Sequence, residues 1–368
     1  MDKNIRHKTV LIAPLDWGLG HATRCIPVIR YFLQGGWKVV VACPAGSAHH
    51  VVLSREFPDA TFVVLSGYNV QYARSRMFFM PKMFLQLPKI GWAILKEHRW
   101  LKNFVRNNPV DLVFSDNRYG FYHPDIPCIF MTHQLEPLLH VAHRQHIIQR
   151  ICYRYINRFK QCWIPDFGKD GIAGSLSHPQ VLPSVPVFYI GLLSRLGQKM
   201  EADPVYLFLV ILSGPEPQRS ILEKKMLHTV GRIPGRILIV RGTPTQYTTP
   251  SVPENCTIVN HLSNDDMRKA FAVSQYVISR SGYTTVMEIL SWQKKSLLIP
   301  TPGQTEQEYL GKELMAKHHA YSFAQETEDY LHEFWEATRF EYRFPPYPTD
   351  TYIREMDKAL SALGCSEK

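Results

Sequence analysis

Three segments in the first half of the sequence carry groups that can move a proton. They are Asp16-Trp-Gly18-Leu-Gly20-His21, Ser115-Asp116-Asn117-Arg118-Tyr119-Gly120 and Thr132-His133-Gln134. His21, Asp116 and His133 are competent acids or bases, and no metal-ligand spacing links them. Gly18 and Gly20, two residues apart, let backbone N–H groups approach an anion at a helix start. The pattern is not a dinucleotide fingerprint. Thr23 stands at the third glycine position, and Ala42-Cys43-Pro44 offers no acid for a ribose.

The second half has a different character. Ser213-Gly214 follows an apolar run and presents backbone N–H groups suited to a phosphate. Asn260-His261 follows a later run. Ser279-Arg280-Ser281-Gly282-Tyr283 then opens a helical stretch containing Glu288. A hydroxyl, an amide and the helix dipole at Ser281-Gly282 all favour a diphosphate. Glu288 lies about one and a half turns further on, where a carboxylate suits the two hydroxyls of a ribose. Thr301-Pro-Gly303-Gln304-Thr-Glu306-Gln307-Glu308 reads as a polar loop fit for sugar hydroxyls.

Positioning these groups requires strands that end at one edge. Buried-strand runs are expected at 9–13, 38–42, 61–65, 112–114 and 128–131, with helical stretches between them, the first from Ala22 to Leu33. The segment from Pro183 to Arg195 looks like a crossing between domains. The rhythm then restarts with strands at 206–212, 236–241, 257–259, 276–279 and 296–300, and helices from about Arg219, at 265–271 and at 284–292. Alternating strands and helices give parallel α/β sheets. The expected fold is two Rossmann-like domains, residues 1–190 and 191–345, followed by a terminal helix within 346–368 that packs back on the first domain. Ligands bind beyond the carboxyl ends of such strands, where the polar segments above fall.

The chain has 368 residues and a net charge of +10. Residues 1–190 hold 22 Lys and Arg against 11 Asp and Glu, so the excess lies in the first half. From Tyr68 to Arg106 the basic residues Arg74, Arg76, Lys82, Lys89, Lys96, Arg99, Lys102 and Arg106 meet one acid, Glu97. They interleave with Phe78, Phe79, Phe84, Trp92 and Trp100. Val141 to Lys160 contains no acid, and Arg150, Arg154 and Arg158 share a helical face. Cations among large rings suit an anionic membrane surface. Seven scattered cysteines (25, 43, 128, 152, 162, 256 and 365) form no CxxC and read as reduced thiols. No apolar run has the length of a membrane span, and the charged start carries no signal-peptide pattern.

The stretch from Val277 to Lys312 resembles the donor block of GT-B glycosyltransferases, in the family of the lipid II-forming N-acetylglucosaminyltransferase and monogalactosyldiacylglycerol synthase. Gly18-Leu-Gly20-His21 is similar to that family's N-terminal glycine-rich loop. SDNRYG, THQL, CWIPD (Cys162 to Asp166), AGSLSH (Ala173 to His178) and YIGLLSR (Tyr189 to Arg195) resemble a bacterial branch of it. The resemblance implies that Ser281 and Gly282 bind a donor diphosphate, to which the phosphate-suited Ser213 and Gly214 add further positions, and that Glu288 binds its ribose. It implies that His261 lies along the base and that Gln304, Glu306 and Gln307 hold the sugar. Gly18, Gly20 and His21 would face acceptor and reaction centre, with Asn117 and Arg118 on the acceptor side. The chain departs from the family where SGPEPQ replaces the glycine-rich loop after the second domain's first strand.

The reaction so implied is an inverting transfer from a nucleotide-sugar, a UDP-sugar first, to an acceptor hydroxyl. It needs neither cofactor nor metal, and the sequence has no Asp-x-Asp pair. His21 is the first choice of general base, with Asp116 and His133 as alternatives. The basic, aromatic half would meet a lipid-linked acceptor at the inner face of the cytoplasmic membrane, as part of cell-envelope polysaccharide synthesis. Two other readings fit parts of the pattern: a nucleotide-sugar 2-epimerase, which needs no acceptor surface, and a non-catalytic binder of anionic ligands. A nucleic-acid partner is not expected, because no nucleic-acid module is recognisable.

Overall fold

The structure is a computed structural model that describes residues 7–71, 79–138, 142–348 and 351–364. Arg74, Arg76, Phe78, Val141, Thr349 and Cys365 lie outside the described residues.

The first domain runs β1 (Thr9–Pro14), α1 (Leu19–Gln34), β2 (Lys38–Cys43), α2 (Ala48–Glu56), β3 (Thr61–Val64), α3 (Phe79–Asn107) and β4 (Leu112–Asp116). It continues with β5 (Cys128–Met131), α4 (Ala142–Ile156), β6 (Gln161–Ile164) and β7 (Val187–Tyr189). Its seven strands form a parallel sheet in the order β3-β2-β1-β4-β5-β6-β7. The second domain runs β8 (Tyr206–Ile211), α5 (Gln218–Val230), β9 (Ile237–Val240), β10 (Cys256–Val259), α6 (Asn264–Ala272), β11 (Ser274–Ser279) and α7 (Tyr283–Ser291). It ends with β12 (Ser296–Leu298), α8 (Thr305–Ala316), β13 (Tyr321–Ser322) and α9 (Tyr330–Arg339). Its sheet is also parallel, in the order β10-β9-β8-β11-β12-β13. Helices cover both faces, so a central strand such as β1, TVLIAP, is apolar and buried along its whole length.

The expected pair of Rossmann-like domains is present, with local differences. The Pro-bearing segment from Pro183 to Arg195 is not all linker, because it holds β7. Pro186 directly precedes that strand at the sheet edge, where a missing N–H is tolerated. The polar loop from Thr301 to Glu308 ends at Gln304, and Thr305 already belongs to α8.

The two domains share one core. Ile26 and Ile29 of α1 and Val286, Met287 and Leu290 of α7 lie in a single buried cluster with Val10, Ile12 and Val277. The last helix, α10 (Thr351–Ala362), returns to the first domain. It buries Met356, Ala359 and Leu360, and Gln161 Nε2 donates to the Ala359 carbonyl at 2.8 Å.

Candidate active site

Open parallel sheets accept ligands where the strand order reverses. In the first sheet that point lies between β1 and β4, where Pro14 is in register with Asp116. In the second it lies between β8 and β11, where Ile211 pairs with Ser279. The two points face one another across a cavity of about 150 Å³, lined by residues 17–21, Arg24, His133, 213–215, 282–285, Gln304, Glu306 and Gln307. The domains touch at its edge. Thr284 Oγ1 donates to the Gly20 carbonyl at 3.1 Å, and a Cβ on Gly20 would stand 3.2 Å from that hydroxyl. Further along the seam, Tyr283 donates to the Pro165 carbonyl and Thr305 to that of Leu138, each at 2.7 Å.

The first-domain wall is a network of side chains. Gly18 has φ 143° and ψ 157°, a conformation open only to glycine, and it turns the chain into α1. His21 and Arg24, three residues apart, then share one face of α1. Asp116, fully buried at the end of β4, meets both of them: Oδ2 lies 2.9 Å from His21 Nδ1, and Oδ1 accepts Arg24 Nε at 2.8 Å. A carboxylate only accepts, so when Nδ1 bonds Asp116 it carries the proton and Nε2 keeps a lone pair. Arg24 Nη2 stands 2.8 Å from the same Nδ1 and donates to it in the other tautomer.

Arg24 also settles the state of His133. Its Nη1 lies 3.1 Å from His133 Nδ1, and a guanidinium only donates, so that nitrogen accepts. Nε2 then donates to Glu306 Oε1 across the cleft at 2.8 Å. The ring is stacked on Tyr283 with centroids 4.2 Å apart. Both nitrogens of His133 are engaged, whereas no described residue bonds Nε2 of His21. Burial, with Arg24 beside it, pushes the His21 pKa from 6.5 down to about 4, against the upward pull of Asp116. Burial alone would raise Asp116, but Arg24 and His21 outweigh it and hold the carboxyl at about 2. At neutral pH the wall is therefore an anionic Asp116, a cationic Arg24 and an uncharged His21.

The second-domain wall is mostly backbone. α7 starts from Gly282 and α8 from Gln304, and neither has a side-chain cap; α1, entered through Gly18, has none either. Three helix N-termini with free amides thus converge on the cavity, an arrangement that attracts an anion. Trp17 Nε1 and Gln304 Oε1, both on lining residues, are buried without a partner, and such groups normally find one. Glu306 also accepts from Gln134 Nε2. Burial would raise its pKa, but His133 reverses the shift and keeps it below the usual carboxylate range.

Residues 221–339 match the glycosyltransferase family 28 C-terminal domain. The chain is a glycosyltransferase of GT-B fold. Among curated proteins none matches it. Solved structures match it along nearly its whole length at low identity. The glycosyltransferase of kitacinnamycin is 10% identical with TM-score 0.64, covering 98% of this chain and 95% of that one. LpCGTa, solved in complex with UDP, is 12% identical with TM-score 0.60, covering 98% and 100%. MurG of Acinetobacter baumannii is 15% identical with TM-score 0.51, covering 95% and 94%.

Within this glycosyltransferase, Gly18, Gly20, His21, His133, Ser213, Gly214, Gly282, Gln304, Glu306 and Gln307 all line the one cavity. Other expected site residues do not reach it. Asp116 is fully buried and lies behind His21, bonded to its Nδ1. His133 does line it, with its ring nitrogens engaged by Arg24 and Glu306. Arg118 is fully buried, bonded to Glu97 at 3.1 Å and to the Pro14 carbonyl at 2.8 Å, so it braces the loop instead of meeting an acceptor. Asn117, at φ 59°, makes the left-handed turn that sends Arg118 inward.

In the second domain Ser281 is fully buried and its hydroxyl donates to the Gln307 carbonyl at 2.7 Å, so it offers nothing to a diphosphate. Glu288, 2% exposed, accepts from Arg195 Nε at 2.8 Å, so its carboxylate is closed to a ribose. His261 lies outside the cavity lining; burial, with Arg195 and Arg55 nearby, pushes it to about 4. Gln307 Oε1 accepts from Thr301 N at 2.9 Å, which ties the residue to its own loop. The sequence reading missed Trp17, Arg24, Tyr283 and Thr284. Arg24 left one signal, a lone cation three residues after His21 at the start of an apolar helical run.

Proposed function

We propose that the protein transfers a sugar, with inversion, from a UDP-sugar to an acceptor hydroxyl at an anionic membrane surface. One observation carries the reading: His21, paired through Nδ1 with Asp116 and with no described partner on Nε2, borders the same cavity as the uncapped N-terminus of α7. The donor diphosphate would lie on the amides from Gly282 to Thr285 and on those of Ser213-Gly214. Nε2 of His21 would take the acceptor's proton as its oxygen attacks C1 from the face opposite the diphosphate. Asp116 would stabilise the imidazolium so formed, and the helix dipole would stabilise the departing diphosphate. With three uncapped helix N-termini facing the phosphates, a divalent ion has no role in this reading.

The acceptor side rests on α3 and α4. Phe84, Leu85, Leu87, Trp92 and Leu95 of α3 and Ile147 and Ile151 of α4 are exposed. Lys89, Lys96, Arg99, Arg150 and Arg154 are exposed along the same helices. Apolar side chains among cations suit peripheral attachment to anionic lipid, and no described helix is long and apolar enough to cross a membrane. A thermal-shift panel of UDP-, GDP-, TDP- and CMP-sugars tests the donor, because a ligand that binds the native state raises Tm. Preference for another nucleotide would refute UDP. Conversion of UDP-N-acetylglucosamine to its epimer without acceptor would replace transfer by epimerisation. Flotation with anionic liposomes should be strong at low salt and weak at high salt, and indifference to lipid charge would remove the membrane.

A further inference from the structure

A second cavity, about 360 Å³, opens at the opposite edge of the second sheet. Its walls come from residues 199–202 and 204 of the segment joining the domains, from the start of β11 and from the turn after α7. The catalytic cavity lies beyond the carboxyl ends of these strands, and this one lies at their amino ends. The six residues of β11, about 20 Å, separate the two. Lys199, Lys294 and Lys295 line the cavity against one acid, Glu201.

The three lysines are not equivalent. The Lys295 ammonium lies 5.8 Å from the centre of the Tyr276 ring and 6.0 Å from that of Tyr342, so it already has a partner. Lys199 pairs with Glu201 at 3.0 Å, but that carboxylate is 86% exposed and holds it weakly. Lys294 is half-buried and, among the described residues, has no ion-pair or hydrogen-bond partner. Burial, with Lys199 nearby, pushes its ammonium down to about 8, against the pull of Glu201. A cation just after α7 answers the negative end of the helix dipole, which accounts for the places of Lys294 and Lys295 in the sequence. It does not account for Lys199, which comes from another segment and adds its charge to the same cavity.

The two segments are fastened to one another. Trp292, two residues before Lys294, donates its indole N–H to the carbonyl of Gly197, two residues before Lys199, at 3.1 Å. The pair of like charges is thus built into the fold, and an anion between them would remove the repulsion they cost.

We propose that this cavity is an anion site separate from the catalytic cleft, in which Lys199 and Lys294 hold a compact phosphate anion, phosphate or pyrophosphate. The anion is compact because the cavity offers no ring face to a nucleotide base. Trp292 is fully buried, and Tyr276 is 8% exposed with the Lys295 ammonium against its ring. The site goes beyond the transferase reading and does not depend on it.

The test uses the full chain and reads the lysines directly. The protein is acetylated with an N-hydroxysuccinimide ester at about pH 8, where the Lys294 amine is partly free, in the presence of increasing inorganic pyrophosphate. Mass spectrometry follows the rate at each lysine. Pyrophosphate should slow acetylation of Lys294 about fivefold at saturation, the effect of raising its pKa by about one unit, and leave Lys358 on α10 unchanged. Lys199→Gln should raise the pyrophosphate concentration needed by about tenfold. UDP at the same concentrations should not protect Lys294. Acetylation of Lys294 that ignores pyrophosphate, equal protection by UDP, or wild-type protection in Lys199→Gln overturns the site.

Discussion

The two walls of the catalytic cleft solve the problem of charge in opposite ways. The first-domain wall holds it on side chains, Asp116 and Arg24, locked with an uncharged His21 below the surface. The second-domain wall holds it largely on backbone, the free amides that open α7 and α8; Glu306 and Thr284 bond across to the first domain, while Ser281 and Glu288 bond inward. Glu288 is spent on Arg195 and Ser281 on Gln307. The contrast fits the two tasks. A base must change its protonation state, so it needs a tunable side chain with fixed neighbours. A diphosphate site needs permanent partial charge without reorganisation, which helix ends supply.

The sharpest way to break this contrast is at His21. His21→Ala should lower kcat by roughly 10³-fold while leaving the thermal-shift response to UDP unchanged. A loss of UDP binding instead would place His21 with the donor. Asp116→Asn should cost both activity and fold, because it leaves the Arg24 cation buried without its partner, a loss of about 3–5 kcal/mol by denaturant unfolding. Glu288→Ala should carry a similar stability cost for the same reason at Arg195, yet the folded variant should bind UDP like wild type. Weakened nucleotide binding there would return Glu288 to the ribose.

A pH profile separates the walls further. The base works unprotonated and His21 is pushed to about 4, so activity should be lost only as pH falls through that value. kcat/KM should stay flat from about pH 7 down to about pH 5. An acid limb near 6.5 would show a histidine without the influence of burial and Arg24. The smallest effect belongs to Ser281→Ala, which should lose about 1 kcal/mol of stability and no UDP affinity.

The strand rhythm made both sheets legible, and the rule that polar residues gather beyond strand ends brought His21, His133 and Gly282 to one cavity from sequence alone. The errors share a cause. Residue type and spacing show what a side chain is able to do, but not which way it is turned. Ser281 and Glu288 sit where a donor site wants them, yet each found a buried partner from another element, Gln307 and Arg195. Arg24 was invisible for the converse reason: it looks like a stray cation at a helix start, and its meaning comes from Asp116 and His133, which arrive from two other strands. The start of α8 was readable in principle, since Glu306 and Glu308 load its first turn with the acids that favour a helix N-terminus.

The central claim is that the free amides at the start of α7 hold the donor diphosphate. Gly282→Asp tests it without threatening the fold. The backbone there, φ −70° and ψ 134°, accepts any residue, and a Cβ would have only Gln307 Nε2 within 4 Å, at 3.8 Å. Aspartate is also a favoured N-cap residue. Its carboxylate would take the amides for itself and repel a phosphate. Calorimetric titration of UDP into wild type and Gly282→Asp should show affinity reduced by at least about tenfold, with Tm unchanged or raised. Equal UDP affinity in the two proteins would contradict the account.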